Sequence, residues 1–304
     1  MKQKRFLLLF LPLLFVLSCQ KQQVHTKPLL LASIHPYELL LRQLAGSEFE
    51  IRSIIPEAAS PHTWSPGPAD LKALSTASLI LSNGLGLETN LENNFAAHKD
   101  TNVVAAQLLY NVFALAKPDS AEHIHEGEEH DAEHHHHGQD PHLWTSPQLM
   151  IRLIGALEKD LAQRFPNSSA VFSANAAAMR KELETAVETI KTERAAYQTP
   201  GLITYHNSFK YFLDEFGIES LGWVQASPGK EPSPKDLSNL GVTIQEHQVK
   251  AIFLEPQMDK KAGEVLAKEF GLKLLILDPL GSQYKANTIT ELILNNWNRM
   301  KEAF

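Results

Sequence analysis

Residues 146–197 read SPQLMIRLIGALEKDLAQRFPNSSAVFSANAAAMRKELETAVETIKTERAAY. Apolar residues recur at helical spacing, for example Met179, Leu183, Val187 and Ile190, which predicts a long amphipathic helical stretch. Pro166 interrupts it, because proline lacks the amide hydrogen and its ring clashes with the preceding turn. Asn167, Ser168 and Ser169 then offer side-chain oxygens to cap a new start. On both sides of this stretch the pattern changes. Upstream, short apolar runs at 29–34, 49–55, 79–82 and 102–105 alternate with amphipathic segments such as PYELLLRQLAG and GPADLKALSTA. Downstream the alternation resumes at 201–205, 220–225, 250–254 and 273–277. Continuous apolar strands alternating with helices predict parallel sheets covered on both faces. The fold class is therefore α/β: two Rossmann-like (β/α) lobes with parallel sheets, at 29–145 and 199–304, joined by a long linking helix region at 146–198, with the binding site in the inter-lobe cleft.

With 304 residues, 43% of them hydrophobic, the chain has enough apolar surface for a real core. Its formal net charge of -7 is a local feature, since residues 119–140 carry eight carboxylates and no Lys or Arg. The remainder is close to neutral and shows no basic stripe, which excludes a nucleic-acid partner. Residues 118–139, which include AEHIHEGEEHDAEHHHHGQ, have almost no apolar surface and cannot offset their ordering entropy, so a mobile loop is expected there.

The N-terminus, MKQKRFLLLFLPLLFVLSC, places Lys2, Lys4 and Arg5 before an apolar run at 6–17 and small Ser18 before Cys19. That run is too short to span a bilayer comfortably and reads as a signal peptide at 1–18. Cys19 is the only cysteine and has no disulfide to make. The segment looks like a bacterial lipoprotein signal, with Cys19 as the lipidated first residue of the mature chain and 19–28 as its tether. Acyl chains would anchor the folded part to the cell envelope and leave it in water. The plain alternative is an ordinary cleaved signal with an incidental thiol.

Seven of the fourteen histidines lie in the acidic loop: His123, His125, His130, His134, His135, His136 and His137. Imidazole nitrogens beside carboxylates take zinc, copper or nickel, but a floppy site is weak and unselective, so these residues read as an accessory. A solvated pH-responsive loop is the alternative. In parallel α/β sheets a ligand sits beyond the carboxyl ends of the strands. Polar residues directly after the apolar runs are therefore candidates: His62, His206 (GLITYH), Glu255 (AIFLEP) and Asp278 (KLLILDP). His142 joins them because DPHLW lies between the acidic loop and the linking helix. Three histidines and one carboxylate would complete a tetrahedral shell, which suits holding a metal more than using it as a Lewis acid. A nitrogen-rich set favours zinc, with manganese second. Glu255 is expected behind a ligand imidazole, fixing its tautomer. His35 is read as structural, and His25, His98 and His247 as solvated.

The motifs PHTWSPGPADL (61–71), DPHLWTSP (140–147), YHNSFKYF (205–212), EPSPKDLSNL (231–240), IFLEPQ (252–257) and LDPLG (277–281) occur in that order. With them the chain resembles the zinc/manganese-type solute-binding proteins of bacterial ABC importers, over nearly everything after residue 29. The resemblance implies that His62, His142, His206 and Asp278 are the ligand positions. It also implies that histidine at 206, in place of glutamate, puts the chain in the zinc branch. Two points depart from that branch: Pro61 stands where some zinc members carry a glutamate, and a single cysteine rules out the disulfide some carry in the second lobe. The expectation is a monomeric, non-enzymatic carrier that captures zinc outside the cytoplasm and delivers it to an ABC permease. A manganese- or iron-importing member or an adhesin-like protein of the same fold is the nearer rival. A zinc-dependent hydrolase, with three histidines and an open fourth position, is the rival of another class, although no HExxH or nucleophile motif accompanies it.

Overall fold

A computed structural model describes residues 27–115, 140–197, 201–226 and 229–304. The signal peptide, Cys19 and the histidines of the acidic loop lie outside the described residues. Among the described residues, no helix is long and apolar enough to cross a membrane.

The first half runs β1 (Leu29–Ala32), α1 (His35–Ala45), β2 (Glu50–Ser53), α2 (Pro68–Thr76), β3 (Leu79–Ser82), α3 (Glu92–Ala97), β4 (Asn102–Val104) and α4 (Ala105–Leu115). Then come α5 (Pro147–Arg164) and α6 (Ser169–Arg194). The second half runs β5 (Leu202–Thr204), α7 (Lys210–Glu215), β6 (Ser220–Trp223), α8 (Pro234–Glu246), β7 (Ala251–Leu254), α9 (Lys261–Phe270), β8 (Lys273–Ile276) and α10 (Ile289–Met300). The strands form two wholly parallel four-stranded sheets, ordered β2-β1-β3-β4 and β6-β5-β7-β8. All eight apolar runs become strands, most of them trimmed where the chain leaves the ladder to form the loops that carry polar groups.

Local chemistry sets the helix starts. Ser146 caps α5 by accepting from the Leu149 amide, and Pro147 in the first turn loses no hydrogen bond. Ser233 and Asp236 form a reciprocal capping box at α8, with Pro234 in its first turn. The break in the linking stretch falls at Pro166, as expected, where residues 166–168 form a single 3-10 turn. The expected side-chain cap is absent: Ser168 precedes α6 without a side-chain hydrogen bond, because that turn leads directly into the helix.

α5 and α6 pack on one another, α5 against α4, and α6 against α1. The last helix, α10, also packs on α6 and α1, so the end of the chain returns to the first lobe. One continuous core therefore holds Leu30, Tyr37 and Leu81 of the first lobe, Phe172 and Leu183 of α6, and Phe212, Phe253, Ile289 and Trp297 of the second half. A smaller cluster behind the second sheet, including Ile203, Ile252, Leu240 and Leu266, is roofed by α8 and α9. Wide separation of the lobes would open the larger core to water, at about 25 cal/mol per Å² exposed. Phe172 is fully buried, with its ring 5.9 Å from that of Phe49. Phe172→Ala is expected to lower the unfolding free energy by ~3–5 kcal/mol, read from urea denaturation of the metal-free protein.

Candidate metal centre

The candidates lie on five separate loops. His62 lies in the loop between β2 and α2, in a turn where the amides of Thr63 and Trp64 both donate to the Ser60 carbonyl. His142 precedes a 3-10 turn at Leu143–Thr145 that leads into α5. His206 follows β5, Glu255 follows β7, and Asp278 follows β8. Because β5, β7 and β8 are neighbours in register, their carboxyl ends set His206, Glu255 and Asp278 in a row across the top of the second sheet.

The structure brings three of the four expected ligands to one point: ligand atoms of His62, His142 and His206 lie within 4.8 Å of one another. The Nε2 atoms of His62 and His142 are 3.3 Å apart, and those of His206 and His142 are 3.0 Å apart. Tetrahedral zinc with bonds of about 2.0–2.1 Å places its ligand nitrogens about 3.3 Å apart, so the spacing fits one such ion. His142 and His206 are buried and His62 half-buried. Burial, followed by the neighbouring His142 and His206, pulls the His62 pKa down to about 3. Burial also lowers that of His142, against the opposing pull of Asp140. Both rings are therefore held neutral, the form that carries a lone pair for a metal.

Two of the rings are aimed by carboxylates. His206 Nδ1 donates to Glu255 Oε1 at 2.5 Å, and that oxygen also accepts from Ser208 Oγ. His142 Nδ1 donates to Asp140 Oδ1 at 2.7 Å. In both rings this leaves Nε2 as the acceptor facing the centre. The sequence reading placed Glu255 in this position, but it counted Asp140 only as acidic-loop charge and missed it. Its place two residues before His142 was the available signal. Asn83 was missed as well, although it directly follows β3 and would have passed the same strand-end test. It donates to the Pro141 carbonyl, takes a hydrogen bond from Tyr37 and is held at its amide by buried Glu88. Burial pushes the Glu88 carboxyl up. The His142 segment is also tied to the second lobe, through Tyr211 Oη to the Asp140 carbonyl and Trp144 Nε1 to the Pro279 carbonyl.

Asp278 is not brought into the cluster. Its Oδ1 accepts from Gln257 Nε2 and the amides of Leu280 and Gly281, and its Oδ2 from Ser282 Oγ and the Gln283 amide. Turning it toward the metal would leave three backbone amides without that acceptor, each costing about 1–3 kcal/mol if left unpaired. The shell closed by a carboxylate, as expected from sequence, is not the geometry observed. His35 faces Glu38 and Glu57 at 3.4 and 3.5 Å, outside the cluster. The cavity bounded by the three histidines is about 20 Å³. It is walled by Pro61, Trp144, Met258, Pro279 and Leu280, with Glu255 and Gln257 among its polar members.

Two parallel-sheet lobes on a shared core, with converging imidazoles contributed from both, define a two-lobed binding protein for a single transition-metal ion. The chain belongs to the ZnuA family, described as the periplasmic zinc-uptake complex component A, whose sequence model matches residues 30–303. It is 26% identical to the high-affinity zinc uptake system protein ZnuA of Yersinia pestis, over 82% of each chain. It is 25% identical to the zinc-binding lipoprotein AdcA of Streptococcus pneumoniae, over 95% of this chain but 57% of AdcA. A ZnuA crystal structure superposes with a TM-score of 0.75 at 26% identity, covering 91% of this chain and 99% of that one.

Glu255→Gln and Asp140→Asn are each expected to weaken zinc binding ~10–100-fold, measured by competition with a chelator of known affinity. Wild-type affinity in both would mean that packing alone orients the rings.

Proposed function

We propose that this protein captures zinc outside the cytoplasm and hands it to an ABC-type permease, with His62, His142 and His206 as its ligands. The observation that carries this reading is the convergence of three imidazoles, with the Nε2 atoms of His62 and His206 each at zinc-like spacing from that of His142, in a pocket at the lobe junction. Membership of the zinc-uptake family supports the cargo and the importer. Lipid attachment through Cys19 agrees with the lipoprotein description of the AdcA relative and remains part of the proposal, as does action as a monomer. The histidines at 123–137 would serve as a weak accessory that raises the local concentration of ions. Release would proceed by a limited shift of the site loops, since the shared core opposes wide opening.

The hydrolase alternative loses the argument of a carboxylate-closed shell, yet the geometry opposes it on other grounds. A cavity of about 20 Å³ admits an ion or a water, whereas small-molecule sites run to about 300–1,000 Å³. An all-histidine set also favours zinc over manganese, which prefers carboxylates.

His206→Ala and His62→Ala are each expected to lose more zinc affinity than the ~10–100-fold associated with a carboxylate behind a ligand. Deletion of 119–138 is expected to leave tight binding in place. Isothermal titration with zinc, manganese and iron, together with elemental analysis of protein from its native host, checks both. Tight binding that survives His206→Ala would overturn the site, and tight binding lost with the deletion would transfer it to the loop.

A further inference from the structure

The three histidines would leave one position of a tetrahedral ion open. Gln257 lines the same small cavity. Its Nε2 is turned to the Glu57 carbonyl at 2.9 Å, Asp278 Oδ1 at 3.0 Å and Ser282 Oγ at 3.3 Å. A carbonyl and a carboxylate can only accept, so this end of the amide must be the donor, which fixes which end is oxygen. The Oε1 left over is buried and meets no hydrogen-bond partner among the described residues. A buried amide oxygen without a donor is costly and calls for one.

We propose that Gln257 addresses the fourth position of the bound ion. Its Oε1 accepts a hydrogen bond from a water that completes the zinc shell, and Asp278 acts through Gln257, by holding the amide, and not as a ligand. The inference rests on the three-histidine reading above and assigns what fills the remaining site. A water needs about 10–15 Å³, which the cavity of about 20 Å³ provides. Zinc makes its bound water a stronger donor, so the neutral amide oxygen is a suitable partner. An amide oxygen is also too weak a base to take the proton, which leaves the water a ligand and not a nucleophile. The Asp278 carboxylate, saturated by five donors, is rigid enough to serve as the stop against which the amide rests.

The first test is a crystal structure of the zinc-loaded, unmutated protein. The expected result is an oxygen about 2.0–2.2 Å from zinc that lies about 2.6–3.0 Å from Gln257 Oε1. An Asp278 oxygen bound to zinc would overturn the proposal. The second test is zinc affinity in Gln257→Leu, Asp278→Asn and the double variant, by chelator competition. Gln257→Leu is expected to bind ~10–100-fold more weakly, and the double variant no more weakly than Gln257→Leu alone. In zinc-loaded Gln257→Leu the oxygen should shift or disappear, which a purely structural residue would not cause. Wild-type affinity in Gln257→Leu, or additive losses in the double variant, would overturn the assignment while leaving the histidine site intact. Failure of the histidine reading is separate, because it would show in His206→Ala whatever Gln257 does.

Discussion

Three imidazoles gathered so that the Nε2 of His142 lies 3.3 Å from that of His62 and 3.0 Å from that of His206 have no attraction of their own. Their lone pairs repel, and any charge on one ring opposes charge on the next. The arrangement therefore depends on external restraint, and much of the surrounding structure supplies it. Asp140 and Glu255 hold the far nitrogens of His142 and His206, so the near ones must be the acceptors. Burial keeps His62 and His142 uncharged in the absence of metal. The repulsion held in check without an ion becomes attraction toward a cation when one arrives, which is the physical basis of a preorganised site.

Restraint on the rings is only as good as restraint on the loops that bear them. His142 occupies a short segment gripped from both sides, by Asn83 of the first lobe and by Tyr211 and Pro279 of the second. Buried Glu88 stiffens Asn83 in turn. Beneath this, a single apolar core passes from the first sheet through α6 and α10 to the second sheet. The two halves thus behave less like jaws on a hinge than like two walls on one foundation.

The same view explains the division of labour among carboxylates. Glu255 touches the His206 ring, Asp140 touches the His142 ring, and Asp278 is engaged by its own loop and by Gln257. A carboxylate left free beside three histidines would draw the site toward harder ions. With each of the three hydrogen-bonded elsewhere, the groups gathered at the centre are imidazole nitrogens, in line with membership of a zinc-uptake family.

Sequence by itself determined the strands, their parallel arrangement and the two-lobed plan, because apolar runs of four to seven residues alternating with amphipathic helices admit few other packings. It also determined His62, His142 and His206 as candidates, since strand ends and the DPH motif are local signals, and it placed Glu255 behind a ring. It could not separate Asp278 from the ligands: a strand-end aspartate looks the same whether it faces a metal or accepts from the amides of the next turn. Nor could it show Asn83 or Gln257 in their places, because each acts across a contact between segments far apart in the chain, whereas Asp140, two residues before His142, carried a local signal. Tertiary structure alone decided those, along with the return of α10 to the first lobe. Hydrogen-bond partners and shared cores depend on which loops meet in space, and no local pattern of residues encodes that meeting.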